Sequence, residues 1–214
     1  MLGLLGKKVG MTRVFDKDGA QFAVTVLEVG PCVVLQRKTV ENDGYDAVQL
    51  GFSEVKESRT TKARVGHCAK AGTTPKRHVG EFGLEPGDEM KAGDTMTASL
   101  FEGTEFVDVT GRTKGRGFAG VMKRHNMRGG PMGHSGRAKR RPGSSSSKEK
   151  PARVIKGKRM PGHMGNTIVT VQNLKIARVI PDANLVLVRG AVTGPDGGIL
   201  RVTKALKKKT VRTK

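Results

Sequence analysis

The sequence predicts a mainly β protein: a discontinuous β-sheet or barrel with a long irregular basic extension and few short helices. Three observations predict it. Short runs rich in β-branched residues stand on both sides of residues 111–165, and turn-forming pairs punctuate them. Residues 111–165 themselves hold 12 glycines, four prolines and a single aromatic, Phe118.

Among the first 110 residues, Phe22–Val29, Cys32–Gln36 and Asp46–Phe52 read as strands separated by Asp18-Gly19, Gly30-Pro31 and Asn42-Asp43-Gly44. Thr61–Ala71 is the early helix candidate, stopped by Gly72. Thr95–Phe101 and Phe106–Thr110 read as two further strands. After the basic segment come four more, Thr167–Val171, Lys175–Ile180, Leu185–Val188 and Ile199–Thr203, broken by Pro181-Asp182 and by Gly194-Pro195-Asp196-Gly197-Gly198. The stretch from residue 166 onward is marginal for a core of its own. Its strands are therefore expected to complete the sheet or barrel begun upstream.

Charge divides the chain in the same place. The net charge is +21, from 40 Lys+Arg against 19 Asp+Glu. Residues 1–110 carry 14 basic and 16 acidic side chains, whereas residues 111–165 carry 16 basic ones and Glu149 alone among acids. Residues 166–214 add ten basic and two acidic groups, the basic ones concentrated in Lys207, Lys208, Lys209, Arg212 and Lys214. Self-repulsion on this scale opposes a compact state unless a polyanion neutralises it, and nucleic acid is the commonest polyanion of that reach. The glycine-rich, apolar-poor segment buries too little surface to offset its conformational entropy, so it is expected to take its shape on a partner. Run out and back, each arm of about 25 residues spans at most roughly 80–90 Å.

Other classes find little support. Gly115-Arg116-Gly117-Phe118-Ala119-Gly120 matches the glycine spacing of a dinucleotide fingerprint. The acidic residue needed about 20 positions on is replaced by Arg137-Ala138-Lys139-Arg140-Arg141, and no strand–helix alternation surrounds the match. His125, His134 and His163 lie amid cations at spacings that do not suit zinc. Glu81, Glu85, Asp88, Glu89 and Asp94 read as solvated surface beside turn glycines. No nucleophile–base or Walker-type pattern occurs. Cys32 and Cys68, 36 apart, read as reduced thiols, and Met1–Gly6 is too short for a signal-peptide core. No apolar run approaches a membrane span. The expectation is a cytoplasmic protein that is not an enzyme, with no cofactor, metal, membrane or small-molecule substrate. With no Trp, one Tyr and seven Phe, phosphate and shape contacts with folded RNA fit better than generic single-strand binding.

Several motifs resemble the bacterial branch of the universal ribosomal protein L-three family. Gly3-Leu4-Leu5-Gly6-Lys7-Lys8-Val9-Gly10-Met11-Thr12 is similar to its opening, and Gly66-His67-Cys68-Ala69-Lys70-Ala71-Gly72 to its helix motif. The family's signature is matched from Phe101 through Asp108, Gly111, Thr113, Gly115, Arg116, Gly117 and Gly120 to Arg124. Val154–Asn166 resembles the returning arm of its extension. The resemblance implies a β-barrel domain on the large subunit's surface and a loop threading 23S-type rRNA toward the peptidyl-transferase centre. It further implies binding near that RNA's 3′ end, a role early in assembly, and ribosomal proteins L-fourteen and L-nineteen as neighbours. Some bacterial members carry a methylated glutamine at the loop's turn. Here Ser144–Ser147 and Lys148-Glu149-Lys150 occupy that stretch, and residues 111–165 contain no glutamine.

The resulting expectation is a barrel domain of residues 1–112 plus 166–206, an rRNA-penetrating loop of residues 113–165 and a basic tail of residues 207–214. The candidate rRNA contacts are Lys7, Lys8, Arg112, Lys114, Arg116, Lys123, Arg124, His125, Arg128, His134, Arg137, Lys139, Arg140, Arg141, Arg153, Lys156, Lys158, Arg159 and His163. The competing function is a free RNA chaperone or nucleoid-type binder, which would give diffuse protection of rRNA in place of one reproducible footprint.

Overall fold

The computed structural model describes residues 3–16, 18–84, 88–133, 139–145 and 149–208. The elements run β1 (Gly3–Phe15), β2 (Gln21–Val29), β3 (Cys32–Lys38), α1 (Val40–Asp43), β4 (Ala47–Glu54), α2 (Lys62–Lys70), β5 (Lys76–Gly83), β6 (Thr95–Met96) and β7 (Phe106–Arg112). They continue with β8 (Phe118–Ala119), α3 (Val121–His125), β9 (Gly162–His163), β10 (Ile168–Ile180), β11 (Leu185–Arg189) and β12 (Ile199–Lys204).

Six strands close a barrel in the order β1-β12-β7-β10-β11-β2, so strands from both ends of the sequence share one hydrogen-bonded ring. Two thirteen-residue strands make closure work. β1 pairs with β12 through Gly3–Lys7 and with β2 from Gly6 onward, and its register slips between Lys8 and Gly10. β10 pairs with β7 along its first part and with β11 along its last, with slips between Val171 and Leu174 and between Ile176 and Arg178. Such bulges bend and twist a strand, letting it serve two partners around a tight curve.

A second sheet, β5-β4-β3-β6, belongs to the same compact unit. One core joins it to the barrel. Leu4, Leu27, Val109, Val186, Leu200 and Val202 from the barrel share it with Val34, Val48, Leu50, Phe52 and Phe82 from the sheet. Each such side chain taken fully from water contributes about 1.5–3 kcal/mol before chain entropy is subtracted.

Several expectations are refined here. Thr95–Phe101 is not one strand: only Thr95–Met96 pairs, and Ala98–Phe101 is a 3-10 turn that buries Ala98 and Phe101 completely. Thr167–Val171 and Lys175–Ile180 are halves of the single bulged β10. β1 and β5 are strands beyond those expected. Glu81 lies on β5, where its carboxylate meets the Lys38 ammonium at 2.9 Å and accepts hydrogen bonds from Tyr45 and Gln49. Glu85 lies outside the described residues. The helix forms as Lys62–Lys70, with Gly72 beyond it at φ +66° and His67 and Lys70 in its last turn, where positive charge suits the exposed carbonyls.

Candidate nucleic-acid interface

Residues 113–167 form the second compact unit of the chain, and they hold most of the candidate contacts. A short ladder joins the unit's outgoing and returning arms. The Thr113 amide donates to the Thr167 carbonyl, Arg116 to Met164 and Met164 to Gly117, each at 2.9 Å. Glycine makes this approach feasible. Gly165, at φ +76°, packs on the Lys114 carbonyl where a β-carbon would overlap it.

Beyond the ladder, β8 pairs with β9, matching Phe118 to His163 and Ala119 to Gly162. Gly120 then starts α3, and Asn126 ends it in a left-handed conformation at φ 56°. Val121 and Ala119 are buried. Arg124 folds over Gly162 and donates from Nη1 to the Met160 carbonyl at 2.8 Å, and His125 Nε2 lies 3.1 Å from the same oxygen. The short helix thus directs one cation onto the returning arm as a brace.

Most of the charge faces out. Arg112, in the barrel unit, is exposed. So are Lys114, Arg116, Lys123, Arg124, Arg128, Lys139, Arg140, Arg141, Arg153, Lys156, Lys158, Arg159 and His163, whereas His125 is half-buried. His134 and Arg137 lie outside the described residues, as do the tail residues Lys209, Arg212 and Lys214. Residues 113–167 contain 15 Lys/Arg and only Glu149 as an acid, so the unit cannot neutralise itself. Residues 1–112 and 168–206 are nearly balanced, with 20 basic and 18 acidic side chains. The ion pairs Lys8–Asp196, Lys38–Glu81, Lys76–Glu54 and Lys175–Glu105 belong to that balanced part.

Lys7 and Lys8 differ from the rest. Lys7 is exposed at a cleft of about 630 Å³ that is also lined by Glu28, Glu54, Lys76 and His78. In that cleft the buried Lys76 ammonium sits 3.0 Å from Glu54, and the hydrogen bond from Lys76 holds the Glu54 carboxyl below its usual range. Burial, aided by the neighbouring Arg77 and Arg64, pushes His78 below the ordinary histidine value. Lys8 is only 7% exposed, with its ammonium 3.4 Å from Asp196 and 3.5 Å from the Gly194 carbonyl. It holds the turn before β12 and does not stand in an outward-facing set.

Sequence reasoning missed the ladder between the arms. Its signal lies in Gly165: beside any approach to phosphate, that glycine permits the approach of the arms to each other. The Gly-x-Gly-x-x-Gly run is part of that ladder and enters a five-residue helix.

Fold and charge together define a class: a nearly balanced β-barrel interrupted by a cationic arm that its own acids cannot neutralise. A family model described as ribosomal protein L3 matches residues 84–184. The large ribosomal subunit protein uL3 of Brachyspira hyodysenteriae is 48% identical over 209 residues, covering 98% of this chain and 96% of that protein. The uL3 of Heliobacterium modesticaldum is 49% identical over 207 residues, covering 97% and 98%. The chain belongs to the uL3 family of large-subunit ribosomal proteins.

Proposed function

We propose that the protein is a structural, non-catalytic constituent of the large ribosomal subunit in the cytoplasm that binds 23S-type rRNA directly through residues 113–165. One observation carries the reading: all 13 described Lys and Arg side chains of residues 113–167 are exposed, in a unit with a single acid. Lysine and arginine release counterions from RNA, glycine lets the backbone approach phosphates, and arginine forks onto phosphates or stacks on bases. The barrel, residues 1–112 with 166–206, is the part that folds alone. The arm takes its final shape on RNA, and residues 207–214 add charge. Lys8, held by Asp196, is left out of the contact set.

Family membership supports the finer placement: binding near the rRNA's 3′ end, action early in assembly, an arm directed toward the peptidyl-transferase centre, and L-fourteen and L-nineteen as neighbours. Co-sedimentation with large subunits across a salt series tests the core of the reading. If roughly 6–10 phosphates are engaged, affinity falls about 10³–10⁵-fold between 50 and 200 mM salt. A flat response, or diffuse protection of the rRNA in footprinting, rejects it.

A further inference from the structure

We infer that Phe118 and His163 form a stacking platform for an unpaired nucleobase of the bound RNA, an inference that rests on the function proposed above. The two residues are directly opposite in the β8–β9 pair, so their rings leave the same face of this small sheet. The other face is closed. Ala119 is 4% exposed, and Arg124 covers Gly162. The platform face is open, with Phe118 78% exposed and His163 exposed beside it.

Phe118 is the only aromatic in residues 111–165, and it does not contribute to a core. The sheet that carries it is braced from behind by the Arg124 hydrogen bond to Met160 and by the ladder between Arg116 and Met164. Its ring is therefore held on a backed support, which limits the entropy lost when a base settles on it. The charge around it selects the occupant. Lys114, Arg116 and Lys123 are all exposed nearby in sequence, and Glu149 is the unit's only acid. An RNA brings phosphates to these cations together with a flat π-face for the ring, and every base has such a face. A hydrophobic protein surface would cover the ring but leave the cations unneutralised.

The chain contains no tryptophan, so Phe118→Trp installs a single fluorescent reporter in the full-length protein. Titrating it with large-subunit rRNA should quench the indole strongly, as stacking on a base does. A control variant, Val40→Trp, at an exposed apolar site outside the arm, should be quenched much less. Phe118→Leu keeps apolar bulk and removes the π-face. It should weaken rRNA binding about 5- to 100-fold, with the salt slope unchanged because no charge is altered. A parent chain that fails to bind rRNA overturns both this inference and the proposed function. Parent-like binding by Phe118→Leu overturns the platform alone. So does a Phe118→Trp emission that shifts to the blue without quenching, the mark of apolar protein contact.

Discussion

Gly165 presses against the Lys114 carbonyl oxygen so closely that no β-carbon fits between them, at a φ of +76° that L side chains rarely adopt. The close approach lies inside the ladder that joins the two arms, with the Arg116–Met164 hydrogen bond on one side and the Thr113–Thr167 bond on the other. Arm geometry therefore depends on one position lacking a side chain.

Gly165→Ala should open that ladder. Left-handed backbone costs an alanine about 1–2 kcal/mol, and the overlap with backbone adds to it. Hydrogen exchange at the Arg116 and Met164 amides should accelerate about tenfold or more, while amides of β7 and β12 keep their protection. Unchanged exchange at Arg116 would show that the close approach is dispensable.

The contrast between Lys8 and the arm's lysines gives a second prediction. Replacing Lys156, Lys158 and Arg159 with glutamine should reduce the salt slope of rRNA binding by about 2–3, at roughly 0.7–0.9 for each phosphate no longer neutralised. The barrel's melting temperature should not move. Lys8→Met should leave the slope intact. Because Asp196 is largely exposed, the Lys8 pair itself contributes only about 1 kcal/mol. Asp196→Ala should destabilise the barrel more than Lys8→Met, since it leaves a buried ammonium with only the Gly194 carbonyl. A salt slope lowered by Lys8→Met would return Lys8 to the RNA-contacting set.

Asp108 is a buried acid of the barrel, 3% exposed on β7. One carboxylate oxygen accepts from the Asn173 amide at 2.7 Å, at the β10 bulge where Asn173 takes a φ of 57°. The other accepts from the Leu206 amide at 3.3 Å, just past β12. A single side chain thus ties together the three strands that bridge the chain's interruption. Asp108→Asn would turn an NH2 group toward a backbone N–H. The expected loss is about 2–3 kcal/mol, seen as a fall of roughly 4–12 °C in melting temperature. A variant that melts with the parent would show that the carboxylate does not hold the bulge.

These particulars explain what the sequence disclosed and what it hid. β2, β4, β11 and β12 were legible because their β-branched and apolar runs end at turn residues. β1 was hidden by glycines that read as breakers. Gly3 and Gly6 are required there because a β-carbon would strike the Val202 and Glu28 carbonyls inside the narrow barrel. β5, Lys-Arg-His-Val-Gly-Glu-Phe-Gly, was hidden by charge, and its buried Lys76 is held by the Glu54 carboxylate and the Thr74 hydroxyl. The strand expected over Thr95–Phe101 had the right burial and the wrong backbone, a distinction that apolar residues alone cannot make. In the arm, the outward cations were evident from composition. The turn of Arg124 onto the returning arm was not, because it depends on a glycine 38 residues further along the chain.

Cys32 supplies a prediction with a defined pH window. Its thiol is fully buried and donates to the Leu5 carbonyl at 3.3 Å. Burial pushes its pKa up to about 12, against the smaller opposing effects of that hydrogen bond and of Lys76. A neutral acid favoured by folding stabilises the protein fully below the unfolded-state value, near 8.5–9. Above that, the unfolded chain ionises while the folded one does not, so this contribution drains away as pH climbs toward 12. Native protein at pH 8 should therefore resist alkylation at Cys32, while the urea-unfolded chain reacts quickly. Between pH 9 and pH 11 the parent should lose more stability than Cys32→Ala, whose lower starting stability lacks this titration. Parallel pH profiles for the two proteins would mean that the thiolate is accommodated in the core, contrary to the burial seen between β1 and β3.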